Sequence, residues 1–340
     1  MMLRGQVDRV TAKSSNGYVK LSCGMWISQD MVKLSDERVP VGNVFKNGEY
    51  RAGTDHDMIV WQSDVFAAVY ARFDGKVLKV NFGMHSEAPG FAHRDDFSGT
   101  IFENIETGMS GDTPFYALTI KDGVKLEGCY IEYADGEFRF IMKKRKTLSE
   151  GDKPLDGISV VLDPGHGGTE QGAIGFMGAD LLEKHLTLIN SLKLAERLTA
   201  LGADVHLTRD TDVSISLQNR VDLSWTVKPD LFISLHINSI SETTNSANVR
   251  GFTVWYRNAG SKSFAQTILD NMYDINPKTN RNRNINQSNF FVCRPQWTPS
   301  VIMEASFIVN IDDFVWMIDP ARQDEMADAA VSAVIKYFGS

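Results

Sequence analysis

Ile158-Ser-Val-Val-Leu-Asp-Pro-Gly-His-Gly-Gly168 is the stretch that decides how the second half of this 340-residue chain folds. A short apolar run, Ile158 to Leu162, gives way to Asp163, Pro164 and Gly165, and then to His166 flanked by Gly167 and Gly168. That order reads as a buried strand running into a tight loop at its carboxyl end. Further along, the spacing predicts a helix over Leu182 to Leu201, with Leu182, Leu186, Ile189 and Leu198 on its apolar faces and Gly202 as its C-terminal cap. Ala203 to Leu207, Leu231 to Leu235, Gly251 to Tyr256 and Ser300 to Glu304 read as further strands, and Arg322 to Phe338 as a closing helix. Short apolar strands alternating with helices predict an α/β domain, a mostly parallel sheet with helices on both faces.

The residues before it follow another rule. Two-residue turn signals stand at Asn16-Gly17, Asp74-Gly75, Asp122-Gly123 and Asp135-Gly136, between runs rich in aromatic and β-branched residues. From Gly128 to Met142 the chain alternates apolar and charged positions around Asp135-Gly136, the pattern of a half-buried hairpin. An all-β N-terminal domain is therefore expected over residues 1–150. The polar, punctuated stretch Thr147 to Gly157 is read as the boundary, with a second domain over 155–340.

Composition excludes several classes. Hydrophobic residues at 43% and charged residues at 23% are ordinary globular values. A formal net charge of −8 argues against a nucleic-acid partner, since that affinity rests on many Lys and Arg contacts to phosphate. No apolar run approaches the roughly 18 residues a transmembrane helix needs. Cys23, Cys129 and Cys293 are odd in number and widely spaced, and imply neither a disulfide framework nor a metal site. Arg4, Asp8 and Arg9 stand near the N-terminus with no apolar segment behind them, so no secretory signal is visible in this chain.

Four residues carry the chemistry. His166, His236 and Glu304 each stand at the carboxyl end of an expected strand, the edge of an open parallel sheet where ligands bind. Glu183 opens the long helix, where its first turn would face the same edge. Two histidines and a carboxylate make a recurring catalytic zinc set that leaves one position open. Spacing alone does not separate Glu183 from Glu170 or Asp180 as the carboxylate. His185 is two positions from Glu183 and faces elsewhere on a helix, and His56, His85, His93 and His206 read as structural or exposed.

The segments Val161-Leu-Asp-Pro-Gly-His-Gly-Gly168, Gln171-Gly-Ala-Ile-Gly175, Glu183-Lys184, Leu207-Thr-Arg-Asp210, Leu217-Gln-Asn-Arg220, Ser234-Leu-His-Ile-Asn238 and Pro299-Ser-Val-Ile-Met-Glu304 through Asn310 together resemble, in order, the motifs of the zinc-dependent N-acetylmuramoyl-L-alanine amidases. The resemblance covers about Asp156 to Ser340. It implies that His166, Glu183 and His236 bind Zn2+, that Glu304 is the catalytic acid/base, and that the partner is peptidoglycan, cut between N-acetylmuramic acid and L-alanine. After Glu304 the family pattern has Leu-Gly-Phe, where this chain has Ala305-Ser306-Phe307. By analogy, Tyr130 to Lys144 resembles the last hairpin of a β-sandwich module and Gly17 to Asp30 a small SH3-like barrel, which would engage the cell wall or a protein partner. The implied location is extracellular or in the cell wall, with phage lysis from the cytoplasm as the alternative. Two rival readings are a zinc peptidase of the His-x-x-Glu type, disfavoured by Thr169 three residues after His166, and a non-catalytic wall-binding module.

Overall fold

Alternation along a strand sends successive side chains to opposite faces, and the central strands of the second half use both. Val160 and Leu162 face one core, with Leu231, Ile233, Leu235, Val301 and Met303, while Val161, Phe232 and Ile302 between them face another. A strand apolar on both sides belongs in the middle of a covered sheet. The computed structural model describes every residue except 1–5, 37–43, 75, 93–95, 176–177, 241–248 and 276–283, and except the side chains of 74, 179 and 180. Arg4, Gly75, His93 and the Asp180 carboxylate thus lie outside the described residues.

The chain divides into two compact units, Met1–Lys144 and Arg145–Ser340. The break precedes the expected polar boundary because Arg145 and Lys146 are tied into the second unit. Arg145 donates to the Tyr337 carbonyl, and Lys146 pairs with the buried Asp230 carboxylate at 2.8 Å.

In the first unit β1 (Val10–Lys13), β2 (Tyr18–Leu21) and β3 (Trp26–Ser28) form a small antiparallel sheet. The remaining strands are β4 (Glu49–Arg51), β5 (His56–Gln62), β6 (Val69–Asp74), β7 (Val77–Phe82), β8 (Phe102–Ser110), β9 (Thr113–Ile120), β10 (Leu126–Ala134) and β11 (Glu137–Lys144). They make two four-stranded sheets, ordered β10-β11-β5-β4 and β6-β7-β9-β8, whose inner faces share one core around Trp61, Phe82, Tyr116, Phe138 and Phe140. Asp135 and Gly136 both take positive φ, 55° and 74°, as the tight turn between β10 and β11 requires. Asp122-Gly123, expected as a hairpin, instead links β9 to β10 in the other sheet.

The second unit contains β12 (Ser159–Pro164), the hairpin β13 (Ile174–Gly175) and β14 (Gly178–Leu182), α1 (Glu183–Ala200), β15 (Asp204–Leu207), α2 (Leu217–Val227) and β16 (Leu231–Asn238). Then come β17 (Thr253–Tyr256), α3 (Lys262–Ile275), β18 (Ile285–Gln287), β19 (Ser300–Phe307), α4 (Ile311–Ile318) and α5 (Pro320–Gly339). The sheet order is β15-β12-β16-β19-β17-β18, parallel except where β17 meets β19. Buried residues of α1, α3 and α5 pack on one face, and Leu223 and Val227 of α2 join the core on the other.

One expectation about α1 fails. Ile189 is solvent-exposed, because the arc turned inward runs through Glu183, Thr187, Asn190, Ser191 and Leu194. Leu182, Leu186 and Leu198 are buried as expected, but polar side chains fill much of the rest of the inward face, so apolar spacing misplaced Ile189.

Candidate metal centre

His166, Glu183 and His236 come together, their ligand atoms all within 4.8 Å of one another. The Nε2 atom of His166 is 3.2 Å from one Glu183 carboxylate oxygen, and Nδ1 of His236 is 3.0 Å from the other. The two imidazoles meet edge to face, ring centres 4.8 Å apart. Among the described residues this is the group of three histidine, cysteine or acidic side chains able to hold a metal ion. Among the described residues, neither Glu170 nor the remaining histidines join it.

Each member is held from behind. Glu183 is buried at the N-terminus of α1, and backbone N–H groups of Ala173 and Ile237 donate to its two oxygens at 2.8 and 3.0 Å. Burial alone would raise its pKa. Hydrogen bonds from His166 and His236 outweigh that and hold it well below the usual carboxylate range. His236 sits above Gly165, where an added Cβ would lie 2.4 to 2.7 Å from the ring. Burial disfavours the imidazolium of His236, yet the carboxylates of Glu183 and Glu304 lift its pKa above the ordinary histidine value. His166 is one of few non-glycine residues with positive φ, 60°, and it is followed by Gly167 and Gly168, also positive.

Glu304 is the register partner of His236 on the adjacent parallel strand, so both project from the same face of the sheet. The sequence placed both at the ends of their strands, but neither ends its strand: β16 runs on to Asn238 and β19 to Phe307. The pairing slips by one residue between His236 and Asn238, and Ser306 takes φ 66°. This is the position at which the resembled pattern carries glycine, so serine keeps the glycine conformation. Burial pushes the Glu304 carboxyl up to about 7, with His236 opposing and Glu183 adding to the rise. Its Oε2 is buried without a hydrogen-bond partner, as are Nδ2 of Asn238 and Oγ of Ser306.

A buried polar network that ligand-type residues and their spacing do not reveal lies beneath the loop. Asp163 accepts from Arg220, Thr208 and Ser234 at 2.5, 2.6 and 2.7 Å. Arg209 and Arg220 are both buried and bind carbonyls of the 164–166 loop. Lys184 donates to the Gly168 carbonyl and to Asp212. Sequence marked Arg209 and Lys184 only as parts of quoted motifs, and offered Arg220, with Asn238, either to orient ligands or substrate or to make a structural hydrogen bond. A buried arginine cannot be told from an exposed one without the fold.

Residues 160–336, just over half of the chain, match the family model described as N-acetylmuramoyl-L-alanine amidase. The chain is 34% identical over 192 residues to the probable cell wall amidase LytH of Staphylococcus epidermidis, a region covering 56% of this chain and 62% of that protein. It is 31% identical over 193 residues to the N-acetylmuramoyl-L-alanine amidase LytC of Bacillus subtilis, covering 57% of this chain and 38% of that protein. The chain thus spans less than two thirds of these relatives' length. Among solved structures it is similar to the N-acetylmuramoyl-L-alanine amidase AmiC2 of Nostoc punctiforme, with a TM-score of 0.50 and 30% identity over 54% of this chain and 99% of that one. The amidase from Clostridium difficile 630 gives a TM-score of 0.50 and 32% identity, over 54% and 98%.

Proposed function

This chain belongs to the N-acetylmuramoyl-L-alanine amidase family, and on that premise we propose that it hydrolyses the amide between N-acetylmuramic acid and L-alanine in bacterial peptidoglycan, using zinc held by His166, Glu183 and His236 and Glu304 as acid/base. The observation that carries the reading is the convergence of those three donors beside Glu304. Two imidazole nitrogens and a carboxylate oxygen are a zinc donor set. Ligands at tetrahedral zinc distances lie about 3.3 Å apart, close to the 3.2 and 3.0 Å between Glu183 and the two histidines. Glycine at 165 and 172 leaves the space those side chains occupy.

Zinc in such a site supplies Lewis acidity, polarising the scissile carbonyl and lowering the pKa of water to about 7. The protein moves the protons. Glu304, as carboxylate, takes a proton from the attacking water as its oxygen adds to the lactyl carbonyl carbon. The same carboxyl then gives that proton to the alanine nitrogen as the C–N bond breaks, leaving a muramyl carboxylic acid and a free amine, which at neutral pH become carboxylate and ammonium. A base whose pKa lies near the working pH suits both directions of transfer, and Glu304, pushed up to about 7 by burial, is of that kind.

The four groups all belong to the second unit, and the first unit has its own core. We assign residues of the first unit to holding the enzyme at the cell wall or on a protein partner there, which implies an extracellular or wall location. Among the described residues no helix is long and apolar enough to cross a membrane. Mass analysis of fragments from purified peptidoglycan tests the activity. Stem peptides with a free L-alanine N-terminus are expected, whereas cleavage only within the peptides would point to a peptidase, and no cleavage to a binding module.

A further inference from the structure

His166 must aim its ring at Glu183 from a backbone conformation that L-residues avoid. Something has to hold it there, and the contacts of the loop identify what does. Arg209 donates to the carbonyls of Pro164 and Gly165 at 3.0 and 2.8 Å. Arg220 donates to those of Pro164 and His166, both at 2.7 Å. Only the second contact reaches the carbonyl of the ligand residue itself.

We propose that Arg220 is a positioning residue for the metal centre: its guanidinium, seated on the buried Asp163 carboxylate, holds the His166 carbonyl and so fixes the direction of the His166 imidazole. The inference rests on the metal-centre reading above.

The placement of Arg220 follows from its helix. Ser216 caps α2, accepting from the Asn219 N–H, and Arg220 lies one turn in, its own N–H bonded to the Ser216 carbonyl. From there the side chain reaches beneath the loop, 3% exposed, and spends its donors on four acceptors: the Asp163 carboxylate and the carbonyls of Pro164, His166 and Ile215. Asp163 supplies the charge that makes the buried guanidinium tolerable, and is itself fixed by Thr208 and Ser234. A planar fork of five N–H donors can serve all four of these acceptors, whereas a lysine ammonium has three donors that radiate from one point. Arginine is therefore specifically required, and the requirement is about the loop carrying a ligand. Residues that fix a metal ligand from behind commonly change metal affinity by about 10–100-fold when altered.

The experiment compares the full-length chain with Arg220→Lys and Arg220→Gln, measuring metal-free melting by circular dichroism and zinc affinity by competition with a chromogenic chelator. Each is repeated in a His166→Ala background. The expected result is a zinc Kd raised about 10–100-fold in a variant that still folds metal-free, with little further change when His166 is already absent. A purely structural arginine would lower the melting temperature and leave the zinc Kd alone, and that result overturns the proposal. So does an equal loss in the His166→Ala background, which would show that the effect does not pass through His166. Failure of both variants to fold also overturns it, since Arg220 would then support the sheet as a whole. A wild-type chain that binds no zinc overturns the metal-centre reading as well, and so differs from a variant without effect.

Discussion

Glu304 stands directly across from His236 in neighbouring parallel strands, so the proposed acid/base and a proposed metal ligand share one face of the sheet. Their relation is set by hydrogen-bond register within the core, a more rigid arrangement than two loops could give. The two unlike roles then arise from surroundings. Glu183 accepts from two histidines and two backbone N–H groups, and is held ionised, while Glu304 has a buried oxygen with no partner and is pushed up to about 7.

Glu304→Gln should cut peptidoglycan hydrolysis by about 10²–10⁴-fold while zinc content stays at the wild-type level. The same change gives a stability signature in the metal-free protein. Burial raises the Glu304 pKa from 4.5 to about 7, so its favourable contribution is complete below 4.5 and is lost as pH rises through about 7. At pH 8 the metal-free variant should therefore melt at or above the wild-type temperature. A lower melting temperature with near-normal hydrolysis would make Glu304 a structural ion-pair member.

One zinc per chain is expected, lost when His166→Ala and His236→Ala are combined. Metal ligands must be deprotonated. Because His236 lies above the ordinary histidine value of 6.5, zinc affinity should already be falling as pH drops past neutrality. Elemental analysis after dialysis across pH 5 to 8 checks both points, and full occupancy at the acid end would exclude the histidines as ligands.

Gly165→Ala tests the seat of His236. The added methyl would meet the imidazole at 2.4 to 2.7 Å, so the ring must move while the loop's main chain can stay. The variant should fold and lose zinc affinity by an order of magnitude or more, read by chelator competition. Unchanged affinity would show that the ring's position is not critical.

Ser306→Gly should stabilise the protein by about 1 kcal/mol, since it relieves left-handed strain in a non-glycine residue and removes a buried hydroxyl without a partner. The added backbone freedom of glycine in the unfolded chain takes back part of the gain. Denaturant midpoints measure the net change, and a drop would mean that Ser306 makes a favourable contact.

A fragment beginning at Arg145 should fold and bind zinc, because it keeps both Arg145 on Tyr337 and Lys146 on Asp230. One beginning at Lys153 takes Lys146 away from the Asp230 carboxylate, which is 2% exposed in the full chain, and should be less stable by about 1–3 kcal/mol. Equal melting temperatures for the two fragments would place the boundary back in the polar stretch.

The sequence by itself determined the class of the second unit, because continuous apolar runs separated by helical spacing have no other economical solution than a sheet buried on both faces. It also determined which residue types could meet, through short motifs around His166, Glu183, His236 and Glu304. Those signals are local: a turn, a strand, a helix start. Tertiary structure alone decided the rest, each a matter of distance between segments far apart in the chain. The register of β16 against β19 made His236 and Glu304 partners. The approach of α1 to the sheet brought Glu183, which the resemblance already implied and spacing did not, up to the two histidines, and turned Thr187, Asn190 and Ser191 inward in place of Ile189. The delivery of Arg220 from α2 to the loop of β12 chose which groups that motif arginine holds, the Pro164 and His166 carbonyls. Local periodicity records whether a side chain can be buried, but the partner that makes burial of a charge tolerable is chosen only when the layers pack.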